Sequence, residues 1–285
     1  WTAQPVAYIG RTCDVVVVSP VPYCPPLPTH RRLASYTRFR AVPRAEIRDG
    51  VTVYHPPFLV GPGGSTQCYE PAAYHVAIRR LVERLHAETS FDLVHAHFIH
   101  PDGVVAHRLA RRLGIPFVVT DQAPWTPWLQ RPCVRRLALP AARAAARITC
   151  VSNWLKRTIV DYVPEVSVDV IPNGFDDSLF TPGRAEERDP NLLLFVGFLN
   201  FNKGVDCLLH AMVTILEERP ASRLALIGGS VYRNTLVQER QLRRLASQLD
   251  LDHVVEFRGM QPPDVVAAAM RRASVVVLPR RAETF

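Results

Sequence analysis

Short apolar runs recur along the chain and alternate with stretches of helical periodicity, and this alternation limits the possible folds more than any other feature. Helical patterns lie between the runs at 72–88, 103–113 and 236–249. A short run rich in Val, Leu and Ile is typical of a strand buried on both faces, and strands separated by helices predict a parallel sheet. The sequence therefore predicts an α/β fold with doubly wound parallel sheets. The runs are DVVVVS (14–19), FDLVHAH (91–97), PFVVT (116–120), RITCVS (147–152), VDVIP (168–172), LLLFVG (192–197), RLALIGG (223–229), VVEFRG (254–259) and SVVVLP (274–279).

The length of the chain predicts two domains. With 285 residues, 48% of them apolar, the chain exceeds the usual size of one hydrophobic core. The polar stretch TPGRAEERDPN at 181–191 is typical of a linker. We therefore expect a Rossmann-like domain at 1–172, a linker at 173–191 and a second Rossmann-like domain at 192–285. Within the first, the Asp-Gly pair of IRDGVTVYHPPF predicts a hairpin or an edge excursion.

Neither the cysteines nor the hydropathy points to a secreted or membrane-spanning protein. The six cysteines form no C-x-x-C pair, so we expect reduced thiols in a cytoplasmic protein. No apolar run is long enough to span a bilayer, and the start lacks the pattern of a signal peptide. Because the chain begins with Trp1 and not with Met, we expect it to be cut at its amino end.

The loop after the LLLFVG run carries the strongest local signal for a ligand site. The strand ends at Gly197, and Lys203 and Gly204 open an amphipathic helix. Free N–H groups and the positive end of the helix dipole suit a phosphate, and Lys203 adds a full charge. The order Asn-Lys-Gly is not that of a Walker loop. The alternative interpretation is an ordinary strand-to-helix turn with a solvated lysine.

Two other polar segments have competing interpretations. In HAHFIH, His95 and His97 share one strand face, but no acidic or cysteine partner is evident, so we predict no metal site. The basic segment Arg31–Arg44 fits nucleic acid, an anionic membrane surface or a solvated loop. A net charge of +8 agrees with any anionic partner.

Taken together, several segments resemble one known family. The segments CVSNWLKRTIVDYVPEVSVDVIPNGFDDSLFTP, FVGFLNFNKGVDCLLHAM, RLALIGGS and VVEFRGMQPPDVVAAAMRRASVVVLPRRAETF are similar, in order and spacing, to the second half of glycosyltransferase family 4. SFDLVHAHFIHPDGVVAHRLARRLGIPFVVT resembles its first half. This family consists of retaining enzymes of the GT-B fold. The resemblance implies that a sugar is moved from a nucleotide diphosphate to a glycan or lipid-linked acceptor, as in polysaccharide biosynthesis, without a metal or other cofactor.

The resemblance also implies roles for individual residues. Glu283, Lys203 and Gln122 would be catalytic. The terminal ETF matches the start of the family's donor motif, so we expect the chain to stop inside its active site, to lack its first strand, and to be inactive by itself. The donor site would be formed by Gly197, Phe198, Lys203, Gly204, Arg258, Gly259, Met260 and Phe285, and the cleft by Asn173, Gly174, His97 and Asp121, with Asn173 and Gly174 forming a turn.

Two positions depart from the family pattern. Phe198 stands where the family usually has Arg, so Lys203 would carry more of the charge compensation. Gln122 stands where a His is common, and Gln cannot act as a general base. Two alternatives therefore stay open: a nucleotide-sugar-binding module without transfer activity, and a nucleotide-sugar 2-epimerase of similar fold.

Lipid-linked acceptors, common in this family, favour peripheral membrane contact through Arg31–Arg44 over nucleic acid, which we do not expect to be bound. This contact would lie at the inner face of the membrane. A second interfacial patch is predicted at PWTPWLQRP, with Trp125, Trp128, Leu129 and Arg131.

Overall fold

The structure, a computed structural model, describes residues 6, 8–24, 37–61, 66–125, 129–229 and 233–281. The chain divides into two compact units, unit 1 extending to Gly174 and unit 2 starting at Phe175. Each apolar run of the sequence contains a strand, and the helices between them form as expected. The prediction of an α/β fold with parallel sheets is therefore confirmed.

The described residues of unit 1 form three sheets. Its strands are β1 (Val16–Val18), β2 (Val21–Pro22), β3 (Ala45–Arg48), β4 (Val51–Tyr54), β5 (Pro57–Phe58), β6 (Val94–His97), β7 (Phe117–Asp121), β8 (Arg147–Cys150) and β9 (Val168–Val170). Its helices are α1 (Glu70–Thr89), α2 (Val104–Leu113), α3 (Pro132–Ala144) and α4 (Asn153–Val160), with a π-helical segment at Ile99–Gly103. Strands β6, β7, β8 and β9 pair in that order, all parallel.

The core of unit 1 lies where the helices cover this parallel sheet. Val119 and Ile148 of the sheet pack with Ala138 of α3 and Leu155 of α4, and all four are fully buried. Such packing fixes the carboxyl ends of β6 and β7, where the polar residues of unit 1 discussed below are placed.

The Asp-Gly pair forms the predicted hairpin. Strands β3 and β4 pair antiparallel, with Arg48 opposite Val51. Asp49 and Gly50 between them both have positive φ, 49° and 80°. This matches the two-residue turn whose twist fits a hairpin.

Two expectations for unit 1 are wrong. Cys68 and Cys133 form a disulfide with their Cα atoms 5.6 Å apart, so not all six cysteines are free. Their separation of 65 residues leaves no local pattern from which to predict the bond. Trp125 and Leu129 are buried, at 1% and 0% exposure, because they fill the core next to α3, and so they cannot form an interfacial patch.

The described residues of unit 2 form one parallel sheet with helices on both faces. Its strands are β10 (Asp189–Val196), β11 (Arg223–Ile227), β12 (Val255–Gly259) and β13 (Ala273–Val276), and its helices are α5 (Val205–Glu218), α6 (Arg233–Gln248) and α7 (Pro263–Arg272), with short 3₁₀ turns at Ala185–Glu187 and Phe201–Lys203. Strand β10 begins at Asp189, inside the expected linker, because Asp189 pairs with Ala273 of β13. That pairing overrides the low strand propensity of Asp-Pro-Asn.

The strand order of unit 2 is β12-β11-β10-β13. From β10 the chain moves outward to β11 and β12, then returns to the other side of β10 as β13. Leu209 of α5 packs against one face of the sheet with Phe195, whereas Ala269 of α7 packs against the other with Leu194. The strand order reverses between β10 and β13, so the edge beyond their carboxyl ends is a topological switch point, where α/β sheets bind ligands.

None of the helices formed by the described residues has the length and apolar content needed to span a bilayer.

Candidate functional site

Bare backbone lines the carboxyl edge of the sheet in unit 2. Gly197 N donates to Ile227 O at 2.9 Å, and Gly228 N donates to Gly259 O at 2.8 Å. A Cβ on Gly228 would lie only 1.8 Å from Gly197 O. Because no side chain fits between these backbones, a ligand at this edge would meet peptide groups directly.

The turn before α5 holds Lys203 in a defined position. The side chain of Asn200 accepts from Lys203 N at 3.0 Å, and that of Gln238 accepts from Phe201 N at 3.1 Å. Gly204 follows with φ +69°, and Val205, buried at 0% exposure, starts the helix. In the predicted connection from strand to helix, Lys203 thus lies at the amino end of a helix of 14 residues.

The segment after β13 packs against the same turn. Arg281 N donates to Asn202 O at 3.1 Å, and the Arg281 guanidinium donates to both carboxylate oxygens of Asp206 at 3.0 and 2.6 Å. A Cβ on Gly204 would lie 1.8 Å from Pro279 O. The backbone of 279–281 is therefore in direct contact with the turn that carries Lys203.

These contacts bring two cations together. Burial lowers the pKa of Lys203, and the positive charge of Arg280 lowers it further. Burial also lowers the pKa of Arg280. Both side chains are half-buried, so their mutual repulsion is screened less than it would be in open water. An anion bound between them would relieve this repulsion.

The other predicted donor residues of unit 2 lie around the same edge. Phe198 is 41% exposed and Met260 is 66% exposed. Gly259 has φ +68°, and the exposed Arg258 donates to Glu256 at 2.7 Å. A Cβ on Gly229 would meet Met260 Cγ at 3.0 Å, so the Met260 side chain covers the end of β11. Glu283 and Phe285 lie outside the described residues.

In unit 1, Asp121 is buried and hydrogen-bonded within the protein. It is 1% exposed, and its carboxylate accepts from Trp125 Nε1 at 2.6 Å, from Ile99 N at 3.0 Å and from Ala123 N at 3.3 Å. Burial raises the pKa of Asp121 against the effect of these donors. The carboxylate thus joins the loops after β6 and β7 and positions the half-buried Gln122, which follows it in the chain.

His97 lies beside a second histidine at the end of β6. The rings of His95 and His97 stack with centroids 4.7 Å apart, and His95 Nε2 lies 2.7 Å from Thr120 Oγ1, which in turn lies 2.7 Å from Thr149 Oγ1. Burial and the neighbouring His95 lower the pKa of His97 to about 4, so this ring is neutral at pH 7. Among the described residues, no group of three or more His, Cys, Asp or Glu side chains could hold a metal ion.

Asn173 and Gly174 do not form the expected turn. Residues 171–176 are irregular, and the turn comes at 177–179. It forms there because the Asp176 carboxylate accepts from Ser178 N and Leu179 N at 3.1 and 3.3 Å. Asn173 is half-buried and Gly174 is exposed.

Family models match both units. Residues 7–179 match the family described as Glycosyltransferase Family 4, and residues 180–285 match Glycosyl transferases group 1. The chain belongs to glycosyltransferase family 4. The chain is 32% identical over 268 residues to a curated relative, D-inositol 3-phosphate glycosyltransferase of Frankia alni, and the match covers 85% of this chain and 65% of the relative. It is 29% identical over 275 residues to the enzyme of the same name from Acidothermus cellulolyticus, covering 87% and 60%.

Solved structures show the same fold. Sucrose-phosphate synthase of Thermosynechococcus elongatus matches with a TM-score of 0.73 at 17% identity, covering 98% of this chain and 69% of that one. Anabaena Alr3699/HepE, in complex with UDP and glucose, matches with a TM-score of 0.64 at 17% identity, covering 82% and 62%. The family-4 chain thus has a GT-B-type fold, and it spans less than two thirds of the length of the two curated relatives above.

The structure brings three polar residues of unit 2 to the turn that carries Lys203, namely Asp206, Arg280 and Arg281. Arg280 and Arg281 directly follow an apolar run, and this position predicts that they border a ligand, because parallel sheets bind ligands at that edge. Asp206 lies in the first turn of α5 and had no such signal in the sequence.

Proposed function

We propose that this chain is the major part of a glycosyltransferase that binds a nucleotide diphosphate sugar in unit 2 and moves the sugar to an acceptor held by unit 1. The observation that carries the proposal is the half-buried Lys203 at the amino end of α5, next to bare glycine backbone at the topological switch point. Family membership supports transfer chemistry, and the Anabaena relative of the same fold was solved with UDP and glucose.

In the proposed reaction, unit 2 has to stabilise the negative charge of the leaving group. In the transfer, the bond from the sugar's anomeric carbon to the diphosphate oxygen breaks, and a bond to the acceptor hydroxyl oxygen forms. Negative charge grows on the diphosphate as it leaves. Lys203 and the N–H groups at the start of α5 would stabilise that charge without reorganising, and the departing phosphate oxygen would accept the acceptor's proton. We propose attack from the face that the diphosphate leaves, with retention of configuration and without a metal.

The remaining predicted residues receive supporting roles. Arg258, Gly259 and Met260 would contact the nucleotide base, and Phe198 would present an apolar ring to the donor. Gln122 and the neutral His97 would hydrogen-bond the acceptor. For Asp121 we propose a positioning role, because its carboxylate oxygens already accept three protein donors. We further propose that Glu283 contacts the donor sugar.

Binding can be measured at Lys203 itself. The chain has only two lysines, Lys156 and Lys203, so labelling with [13Cε]lysine gives two assignable side-chain resonances. UDP, GDP and ADP should be titrated in turn, with the corresponding nucleosides as controls. We expect a diphosphate to shift the Lys203 resonance and to leave that of Lys156 in place. Lys203→Ala should weaken binding about 10- to 100-fold, the effect of losing a charge-assisted contact, and Lys156→Ala should not.

Turnover separates transfer from the alternatives. With the diphosphate identified, the matching radiolabelled nucleotide sugars should be incubated with acceptor extracts and a full-length homologous chain. Transfer gives a labelled glycan whose anomeric configuration NMR can read, and retention is expected. An altered sugar on the intact nucleotide would instead indicate a 2-epimerase. Binding without turnover would indicate a binding module, and no shift at Lys203 with any diphosphate would overturn the proposal.

We also propose that the segment Arg31–Arg44 contacts an anionic membrane surface near a lipid-linked acceptor, at the cytoplasmic face. Within its described part, Arg38, Arg40 and Arg44 are exposed. Positions 31–36 lie outside the described residues. This proposal can be tested by sedimentation with vesicles of phosphatidylcholine alone and with vesicles that contain about 30% phosphatidylglycerol, an anionic lipid that attracts polybasic segments. Equal sedimentation with both vesicles would contradict it.

A further inference from the structure

The Cys68–Cys133 disulfide joins the starts of two helices of unit 1. Cys68 lies in the turn at 66–69, directly before α1, and Cys133 is the second residue of α3. Their Cα atoms are 5.6 Å apart, although 65 positions separate the two residues in the chain. The bond therefore closes a large loop that contains α1, β6, α2 and β7.

The turn that carries Cys68 contacts the segment after β6. Gln67 O lies 3.1 Å from Nε2 of the buried His100, which belongs to the π-helical segment at Ile99–Gly103. This segment follows the strand that ends at His97, one of the residues proposed to hydrogen-bond the acceptor. A displacement of Cys68 would therefore move a group that contacts the carboxyl end of β6.

The start of α3 is joined in a similar way to the segment after β7. Leu129, four positions before Cys133, donates from its N to Trp125 O at 2.9 Å. The Trp125 ring in turn donates from Nε1 to the Asp121 carboxylate at 2.6 Å. Gln122, the other residue proposed to hydrogen-bond the acceptor, directly follows Asp121. The disulfide thus ties together the two segments at the carboxyl edge of β6 and β7.

The surroundings of this bond favour exchange with an external thiol. Both cysteines are half-buried, and each has an exposed neighbour in the chain, Tyr69 and Pro132. A thiolate attacks a disulfide that it can reach, whereas a bond deep in a core is protected. Cys133 also lies in the first turn of a 13-residue helix, and this turn contains no acidic side chain. The positive end of the helix favours a thiolate at Cys133 and makes it the better leaving group.

We propose that the Cys68–Cys133 bond is a reversible thiol–disulfide switch that reacts with a dithiol reductant, and that the bonded form holds both segments in place for the acceptor. The switch itself does not depend on the proposed function. Its effect on the acceptor does, because His97 and Gln122 receive their roles there.

The exchange proceeds in two steps. A thiolate of the reductant attacks Cys68 Sγ, the S–S bond breaks, and Cys133 leaves as a thiolate that takes a proton from water. The second thiol of the reductant then attacks the mixed disulfide and releases Cys68, which takes up the proton of that thiol. Two electrons thus pass to the cysteine pair, and the dithiol becomes a disulfide.

Reduction of the folded wild-type chain tests the switch without any substitution. The chain should be incubated with dithiothreitol in the absence of denaturant, alkylated, and analysed by mass spectrometry, with circular dichroism as a check of folding. We expect the pair to be reduced in the folded chain and to re-form when dithiothreitol is replaced by oxidised glutathione. Reduction only in urea would show a purely structural bond, and free thiols at both positions in the oxidised sample would show no bond. Either result would overturn the proposal.

Hydrogen exchange with mass spectrometry measures what the bond does at the carboxyl edge of unit 1. After reduction, peptides that cover 66–69, 98–103 and 121–125 should exchange about 10-fold faster, because local opening no longer works against a covalent link. Peptides of unit 2 should be unchanged. Cys68→Ser and Cys133→Ser should each show the fast exchange without reductant and should not respond to it. The control Cys207→Ser removes an exposed free thiol and should respond as the wild type does. Equal exchange in the bonded and reduced wild-type chains would contradict the proposal.

The transfer assay separates this proposal from the proposed function. Reduction should raise the KM for the acceptor at least about 5-fold, the lower range of coupling between two sites, and leave the KM for the nucleotide sugar unchanged. An unchanged KM for the acceptor, despite faster exchange, would overturn the effect on the acceptor. Absence of transfer in both redox forms would instead count against the proposed function, and the exchange rates would still decide whether the switch exists.

Discussion

The close approach of Gly204 to Pro279 allows a stability prediction with an internal control. In Gly204→Ala the new Cβ would start 1.8 Å from Pro279 O and must separate to at least 3.0 Å, so the carbonyl has to move by about 1.2 Å. Gly259→Ala has nearly the same φ, +68° against +69°, but nothing lies within 4 Å of its Cβ. Both variants incur the left-handed penalty of about 1 kcal/mol. Gly204→Ala adds the cost of a forced backbone shift, about 1–3 kcal/mol.

We therefore expect unit 2 to lose about 1 kcal/mol in Gly259→Ala and about 2–4 kcal/mol in Gly204→Ala. Hydrogen exchange with mass spectrometry, followed over a urea series, can report the peptides of α5 and β13. All four tryptophans lie at or before position 154, so their fluorescence reports unit 1 and should be unchanged. If the two variants agreed within about 0.5 kcal/mol, the typical scatter of such comparisons, the contact between Gly204 and Pro279 would not have the role assigned to it.

Three further predictions concern unit 1. Burial raises the pKa of Asp102 to about 7 from an ordinary value of 3.8, so the folded unit holds this proton more tightly than the unfolded chain does. The free energy of unfolding of unit 1 should therefore decrease as pH rises from about 4 through 7. In Asp102→Asn, the urea midpoint should depend less on pH over this range. Four thiols should react in the unfolded, unreduced chain and six after reduction. The double variant Cys68→Ser, Cys133→Ser should lower the free energy of unfolding in urea by about 4 kcal/mol, as expected for a bond between residues 65 positions apart. Trp125→Phe removes a donor to the buried Asp121 and should cost about 1–3 kcal/mol, measured by circular dichroism.

The sequence was sufficient for features that depend on neighbours in the chain. The glycine at the end of β10 and the start of α5 follow from residues within about ten positions of one another. The hairpin at Asp49 and Gly50 follows from two residues. Such features are set by local propensity and hydrophobic period, which a single sequence contains.

Features that depend on strand order could not be found in this way. Nothing in the residues around Arg281 indicates that β13 pairs with β10, and it is this pairing that brings the Arg281 guanidinium to Asp206. The start of β10 at Asp189 and the Cys68–Cys133 bond have the same origin, because each depends on a partner more than 60 residues away. Asn173 shows the opposite case, where a local turn signal yielded to the stronger side-chain acceptor at Asp176.

The position of β13 also sets the order of events during synthesis. Strand β10 is central in the sheet of unit 2, but its pairing partner on one side is made last, with 76 residues between Val196 and Ala273. At a ribosomal rate of about 5–20 residues per second, that side of β10 waits about 4–15 s for its neighbour. During this interval the Leu-Leu-Leu-Phe stretch of β10 offers an open edge to other nascent chains. Ribosome-bound chains that end before Ala273 should therefore be the form of this protein that most needs a chaperone.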